Sequence, residues 1–524
     1  MSDTNASSSP KQNKFNEHTA VSVLLVGTLI SVFWSLYFAR ATISTPYQIG
    51  FREGAPQVLT SMLIHGENPY IFENHPLAFN NYSIAYSTAV LPFALLFGNT
   101  LHIHRWVTFI FILLSTTFGF WVVFSRGRKF PAALACSAFI IIGFIGRGGI
   151  GSAPTTMGTF LFLTAIFIPY LRSFDKPSMT LSMVLALLAF HTKAYFVLSM
   201  GLVLSYVFLF VSKKKAVAYF LLFLGLFVIA FGIIRSVYPL YFTDVIRGNV
   251  SNTFRELDHL TSQLKWLSIY FAPILLLTIL SFWNGSRNIS PQNNLTKRVS
   301  FDISAWDTPL LTFPFDYYLY IFILCLLTFI LVLGSHVGNY LSYAYELVVP
   351  TFLFWFFVNF EKQKAAPILS AGLVLANLFY WQYNTISPQM LAEKNSVEWE
   401  KLFSYLKPSM RVLNSPTITS RLIELGIKPV DSGQTDYYYT MKPYPDNVLL
   451  GPSFEDFYND GQEYTNSIND AIVKQEYDLI VTSKDVEVFY DLDLIAEHYV
   501  MTDELILYMD QTEQKWVVQV WEPK

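Results

Sequence analysis

Charge is what this sequence has least of. Asp, Glu, Lys and Arg make up 14% of its 524 residues, where soluble domains carry about 25%. The shortage excludes an ordinary water-soluble domain over most of the length. The small net charge of −3 supplies no basic stripe, so a nucleic-acid partner is excluded as well. Cysteine is almost missing. Cys136 and Cys325 both fall in apolar blocks and read as small core residues, which excludes a disulfide-stapled fold. There is no glycine-rich dinucleotide fingerprint, no nucleophile elbow and no zinc-ligand spacing. A divalent metal therefore has no ligand motif behind it, and the cofactor stays open. A cleavable signal peptide is missing too: the first apolar block, residues 21–38, is too long for one and reads as a signal anchor.

What is there is apolar sequence, 53% of the chain, in blocks long enough to cross a bilayer at about 20 residues per helix. After a polar tail (1–19), spans are predicted at 20–39, 105–124, 131–149, 155–171, 178–191, 195–211, 216–234, 266–284, 316–334, 345–360 and 366–382. Basic residues fix their direction, because cytoplasmic loops are enriched in Lys and Arg. Arg126, Arg128 and Lys129 follow the second span, Arg172 and Lys176 the fourth, and Lys213, Lys214 and Lys215 the sixth. The expectation is eleven spans with the N-terminus inside. A long first outer loop (41–104) and a C-terminal segment (384–524) then lie outside, in the periplasm or cell exterior. The run 85–97 is too short to span and reads as a helix in the interface.

Beyond about residue 384 the pattern becomes that of a soluble α/β domain. Residues 411–413 and 478–482 read as short buried strands, 420–425 and 467–474 as helices, and 505–509 with 516–521 as a hairpin across the polar turn 510–514. The fold class expected is thus an α-helical polytopic membrane protein (20–383) carrying a C-terminal soluble α/β domain.

Polar residues cluster on the outer side. Glu53 follows span one closely, with Gly54 after it. A partly desolvated carboxylate at a membrane surface suits a general base; the plain alternative is a solvated loop acid paired with Arg52. Gly66-Glu67-Asn68-Pro69-Tyr70 reads as a helix stop, which favours a structural role for Glu67 over a catalytic one. Arg147, Lys193 and Arg235 sit at outer ends of spans. Charges there are costly and often functional: each binds a phosphate or simply snorkels to the interface. Glu346 opens a late span and either binds a sugar hydroxyl or pairs with Arg147 or Lys193. Arg52, Glu67 and Tyr340 complete the candidate substrate-contacting set.

The order of these features resembles the GT-C superfamily of integral membrane glycosyltransferases. The nearest branch is that of the protein O-mannosyltransferases and the lipid A aminoarabinose transferase. The residues that carry the resemblance are Gly66, Pro69 and Tyr70 after an acidic stretch, then Leu96-Phe97-Gly98 ending the interface helix and Arg105 opening span two. Thr192-Lys193 at an outer turn and Asn339, Tyr340, Glu346 and Leu347 at a late span complete the match. The branch carries Asp as its catalytic acid, where this chain offers Arg52-Glu53, so Glu53 stands in for it or the activity has diverged. The resemblance implies an inverting glycosyltransferase. Its donor is a polyprenyl-phosphate sugar, whose phosphate is held by Lys193 with Arg147 or Arg235. Its acceptor is a hydroxyl on a glycan, lipid or protein, deprotonated by Glu53. Two other readings remain open, a non-catalytic polysaccharide or lipid translocator and a polymerase of lipid-linked repeat units. A transporter should show repeat-related halves, and the hydropathy shows none.

Overall fold

A computed structural model describes residues 10–146, 150–151, 154–248, 255–286, 306–311, 315–336, 343–360, 367–386, 396–439, 441, 443, 451–484, 488–508 and 515–524. The protein is a polytopic bundle of apolar helices with a small α/β unit at its C-terminal end. Helix α1 (Pro10–Ser44) packs on α5 (Phe130–Gly146) and on α14 (Pro367–Ile386). Between them in sequence come α2 (Gly54–Ile64), α3 (Ala85–Phe97) and α4 (Leu101–Gly127), then α6 (Thr155–Leu171), α7 (Lys176–Phe190), α8 (Leu198–Phe210) and α9 (Lys213–Val237). Next are α10 (Leu257–Tyr270), α11 (Ala272–Ser286), α12 (Tyr317–Thr328) and α13 (Val349–Val358). Helix α5 presents Ala132, Ala133, Ala135, Cys136 and Ala138 to the interior, all buried. Small side chains allow the close backbone approach that helix pairs use in lipid.

Each predicted span overlaps one or two described helical segments, and the end of the span expected at 131–149 lies outside the described residues. His18–Ser44, Leu101–Gly127 and Lys213–Val237 are long and apolar enough to cross a bilayer alone, and shorter apolar helices make up the rest of the bundle. The outward faces remain apolar: Phe33 is 70% exposed, and Leu221, Val228, Ile229 and Ile233 on α9 about as open. Such a girdle suits lipid rather than water. One span departs from its expectation. Residues 266–284 do not form one straight helix, because α10 and α11 meet at 74°. Pro273 lies in the first turn of α11, where it has no N–H to donate and disfavours helix in the residue before it. The Asn377 side chain spans the break. It donates to the Tyr270 carbonyl (2.8 Å) and accepts from the Ile274 N–H (3.4 Å).

The basic loops gather at one end. Arg126 donates to the Tyr170 carbonyl, and the Lys213 N–H reaches the Thr308 carbonyl. Asp175, Ser212 and Asp316 cap α7, α9 and α12 there by accepting from N–H groups three residues on. The first loop and the 238–248 segment gather at the other end. Asn68 donates to the Val237 carbonyl, and the Leu240 N–H to that of Tyr70. The run 85–97 forms the helix α3, and the predicted stop after α2 is realised by Gly66 at φ +72°, in the left-handed region that glycine enters freely.

The C-terminal unit holds β1 (Val412–Asn414), β2 (Leu479–Ser483), β3 (Tyr499–Tyr508) and β4 (Lys515–Pro523) in the order β1-β2-β4-β3. β1 and β2 are parallel and the other pairs antiparallel. β1 and β2 are buried at every position, since helices cover both faces. Leu413 and Ile480 pack with Ile468 and Ile472 of α17 (Phe454–Val473). Val412 and Leu479 pack on the other side with Trp399 and Leu402 of α15 (Ser396–Ser404) and Leu422 of α16 (Thr419–Glu424). The predicted helix 467–474 is the end of the longer α17, and the predicted turn 510–514 lies outside the described residues. The unit sits directly on the first loop. Gln48 accepts from the Ser420 N–H (2.8 Å) and donates to the Pro416 carbonyl (3.0 Å), while Tyr47 stacks on Trp399. A Cβ on Gly54 would lie 2.6 Å from Thr419 Cβ, so only glycine fits this contact.

Candidate active site

The turn between α7 and α8 is bonded to the start of α3. The His191 carbonyl accepts from the Ala85 N–H (3.0 Å), and that of Thr192 from the Ser83 N–H (3.4 Å). Just before them, Asn80 accepts the Tyr82 N–H in a tight turn. These bonds bring the Tyr82 ring to 5.4 Å from Lys193 Nζ, and Tyr195 lies 5.8 Å away on another side. The ammonium donates to Glu346 Oε1 at 2.9 Å, with both side chains almost wholly buried. Glu346 stands in a π-helical turn, Ala344–Val348, a rare form that recurs at functional sites.

Arg52 completes the cluster. Burial alone would raise the Tyr82 phenol, but Arg52, by charge and hydrogen bond, and Lys193 outweigh it and hold the group below its ordinary value. Burial would also discharge Lys193, yet Glu346 first and then the Tyr82 and Tyr343 phenols hold it above the usual lysine range. Lys193 thus lies buried in an ion pair whose partner favours its protonated form. Of the predicted site residues, Lys193, Glu346 and Arg52 come together, and Glu346 takes one of the two partners the sequence offered it.

Glu53 is buried beside this cluster and pairs with Arg105. Arg105 Nε donates to its Oε1 (3.0 Å) and Nη2 to its Oε2 (2.8 Å). The Ile49 N–H adds a bond to Oε2 (2.7 Å). Arg105 also donates to the carbonyls of Thr42, Thr45 and Tyr47. All five donors of its planar fork are thus used, fixing the end of α1 to the first loop. Glu67 is exposed on the turn after α2, and Arg235 donates to the Pro239 carbonyl at the end of α9. Arg147 and Tyr340 lie outside the described residues.

Tyr82 and Tyr195 were missed in the sequence, because tyrosine is common here, at 31 residues, and no spacing marks these two. A second buried centre was missed as a pair. His75 Nε2 lies 3.2 Å from Asp244 Oδ2 with both side chains fully enclosed, against the edges of Tyr438 and Phe457. Burial raises Asp244 and His75 opposes the rise. This centre ties together the first loop, the 238–248 segment and the C-terminal unit. Among the described residues, no group of three or more His, Cys, Asp or Glu side chains is placed to hold a metal ion.

The architecture has solved counterparts. ArnT from Cupriavidus metallidurans bound to undecaprenyl phosphate superposes over 94% of this chain and 97% of its own, with a TM-score of 0.56 at 10% identity. Its apo state covers the same shares, with a TM-score of 0.52 at 11% identity. The chain has the GT-C fold. The oligosaccharyltransferase of Archaeoglobus fulgidus in its apo form aligns with 93% of this chain and 73% of its own, at a TM-score of 0.45 and 11% identity. No protein-family model and no curated protein matches the sequence. At such identities the likeness concerns the GT-C fold, and the site has to be argued from this chain's own residues.

Proposed function

We propose that the protein is a membrane glycosyltransferase. It moves a sugar from a polyprenyl-phosphate donor to an acceptor hydroxyl at the outer membrane surface, with inversion at the anomeric carbon. The observation that carries this reading is Lys193, buried in an ion pair with Glu346 beside Arg52, at the end of a GT-C bundle where helix α3 begins. Two cations close together suit a lipid phosphate. They also suit the negative charge that grows on the phosphate as the sugar leaves. The ArnT structure that shares the fold is bound to undecaprenyl phosphate, which supports a donor of that class.

The reaction also needs a base for the acceptor hydroxyl. Glu53 is the residue expected from the sequence, and it remains a candidate through its place beside Arg52. Glu346 is a second candidate, favoured by a specific observation: its Oε2 is buried without a hydrogen-bond partner among the described residues. The test is sugar release from a panel of undecaprenyl-phosphate-linked hexoses and aminopentoses by the full chain in lipid nanodiscs. Release from at least one donor, lost in Lys193→Ala, is the expected result. A wild-type protein that releases sugar from none of them overturns the proposal.

A further inference from the structure

Lys193 has two claims on its charge, and they exclude each other in part. In the resting structure its ammonium neutralises Glu346, which is 1% exposed. In the reading above it also serves the donor phosphate. A buried carboxylate without a counter-charge is costly and tends to take up a proton instead. An ammonium shared between two anions bonds each more weakly. The faces of Tyr82 and Tyr195, 5.4 and 5.8 Å from Nζ, give it somewhere to move without losing all support.

We infer that Glu346 is the proton acceptor of the transfer step, and that Lys193 keeps it disarmed until a lipid phosphate draws the ammonium away. The inference rests on the donor reading just given. Three observations converge on it. Glu346 Oε2 is buried and has no hydrogen-bond partner among the described residues, so its lone pairs are uncommitted. The residue is presented by a π-helical turn rather than a regular one. Both Glu53 oxygens are engaged by Arg105 and Ile49, which makes Glu53 a positioning residue for the loop that carries Arg52.

The step balances without any further reagent. The acceptor O–H gives its proton to Glu346 Oε2, and the acceptor oxygen forms a bond to the anomeric carbon. The bond from that carbon to the phosphate oxygen breaks, and its electron pair leaves with the phosphate, now held by Lys193 and Arg52. Donor binding thus precedes activation of the acceptor, and the base is not exposed to water while the donor site is empty.

The experiment is labelling of the full chain by the hydrophobic reagent dicyclohexylcarbodiimide, which attacks protonated buried carboxyls, with modification of Glu346 read by mass spectrometry. The probe is undecaprenyl phosphate, whose binding is measured in parallel. With no acceptor present, a carboxylate whose proton affinity has risen toward neutrality is protonated in a larger fraction of molecules while the rest stay ready to act as base, so labelling is expected to rise several-fold when the lipid is bound, and to be high without lipid in Lys193→Met. Binding of the lipid with no change in labelling overturns the inference and leaves the donor reading standing; failure of the lipid to bind overturns both. Glu346→Gln provides an independent readout. It should hold undecaprenyl phosphate at least as tightly as wild type and lose about 10²–10⁴-fold in sugar release, the range for a general base. Loss of binding and release in equal measure makes the pair merely structural. If Glu346→Gln does not accumulate as folded protein, the wild-type labelling still decides.

Discussion

Glu53 shows how one residue can be found by sequence and yet be given its surroundings only by the fold. The sequence marks it as an acid just after span one. Its partner, Arg105, lies 52 positions away, and no local pattern reveals that. Glu53→Gln should leave Arg105 enclosed without a counter-ion. Removing one partner of a buried pair costs about 3–5 kcal/mol, so the variant should melt clearly below wild type in detergent. A Glu53→Gln protein that melts normally and has lost sugar release returns Glu53 to the role of base. Lys193 was more legible, because a cation in an outer turn between two apolar helices has few reasons to be there. Its aromatic neighbours were not legible, since Tyr82 reaches it only through backbone bonds between residues about 110 positions apart.

At the scale of elements, helix type and order were readable because apolar block length and basic loops are direct consequences of the bilayer. The break between α10 and α11 escaped notice. Pro273 was visible, but the side chain that makes the break tolerable, Asn377, comes from another helix. The docking of the C-terminal unit was hidden for the same reason. Its contact loop contains Asp431, whose carboxylate accepts the Gly433 N–H. Burial, the largest influence, pushes this acid from 3.8 up to about 7. The folded state therefore holds a proton that the unfolded chain has already released. Stability from this group is complete below about pH 4, declines as the pH rises towards about 7, and is level above. The loss is on the order of 2–4 kcal/mol. Thermal unfolding at pH 5 and pH 8 measures it, and Asp431→Asn should remove most of the difference. An equal pH dependence in the variant would assign the effect to another group.

For the whole molecule, the positive-inside argument predicts that the first loop and the C-terminal unit face the same, non-cytoplasmic side. Their direct contacts through Gln48, Tyr47 and Gly54 agree with a shared side. Single cysteines at Glu67 and Gln462, both exposed, should react with an impermeant reagent from the same face of sealed vesicles, away from the basic loops. Reaction from opposite faces would contradict the topology. The central claim is that this GT-C bundle holds a lipid-linked phosphate on Lys193. The most direct measurement is the affinity of the full-length protein for undecaprenyl phosphate, in wild type, Lys193→Ala and Lys193→Arg. Wild type should bind. Lys193→Ala should bind about tenfold more weakly or worse, a loss of at least about 1.4 kcal/mol. Lys193→Arg should keep much of the affinity, since the contact depends on charge more than shape. Equal affinity in wild type and a folded Lys193→Ala protein would contradict the account.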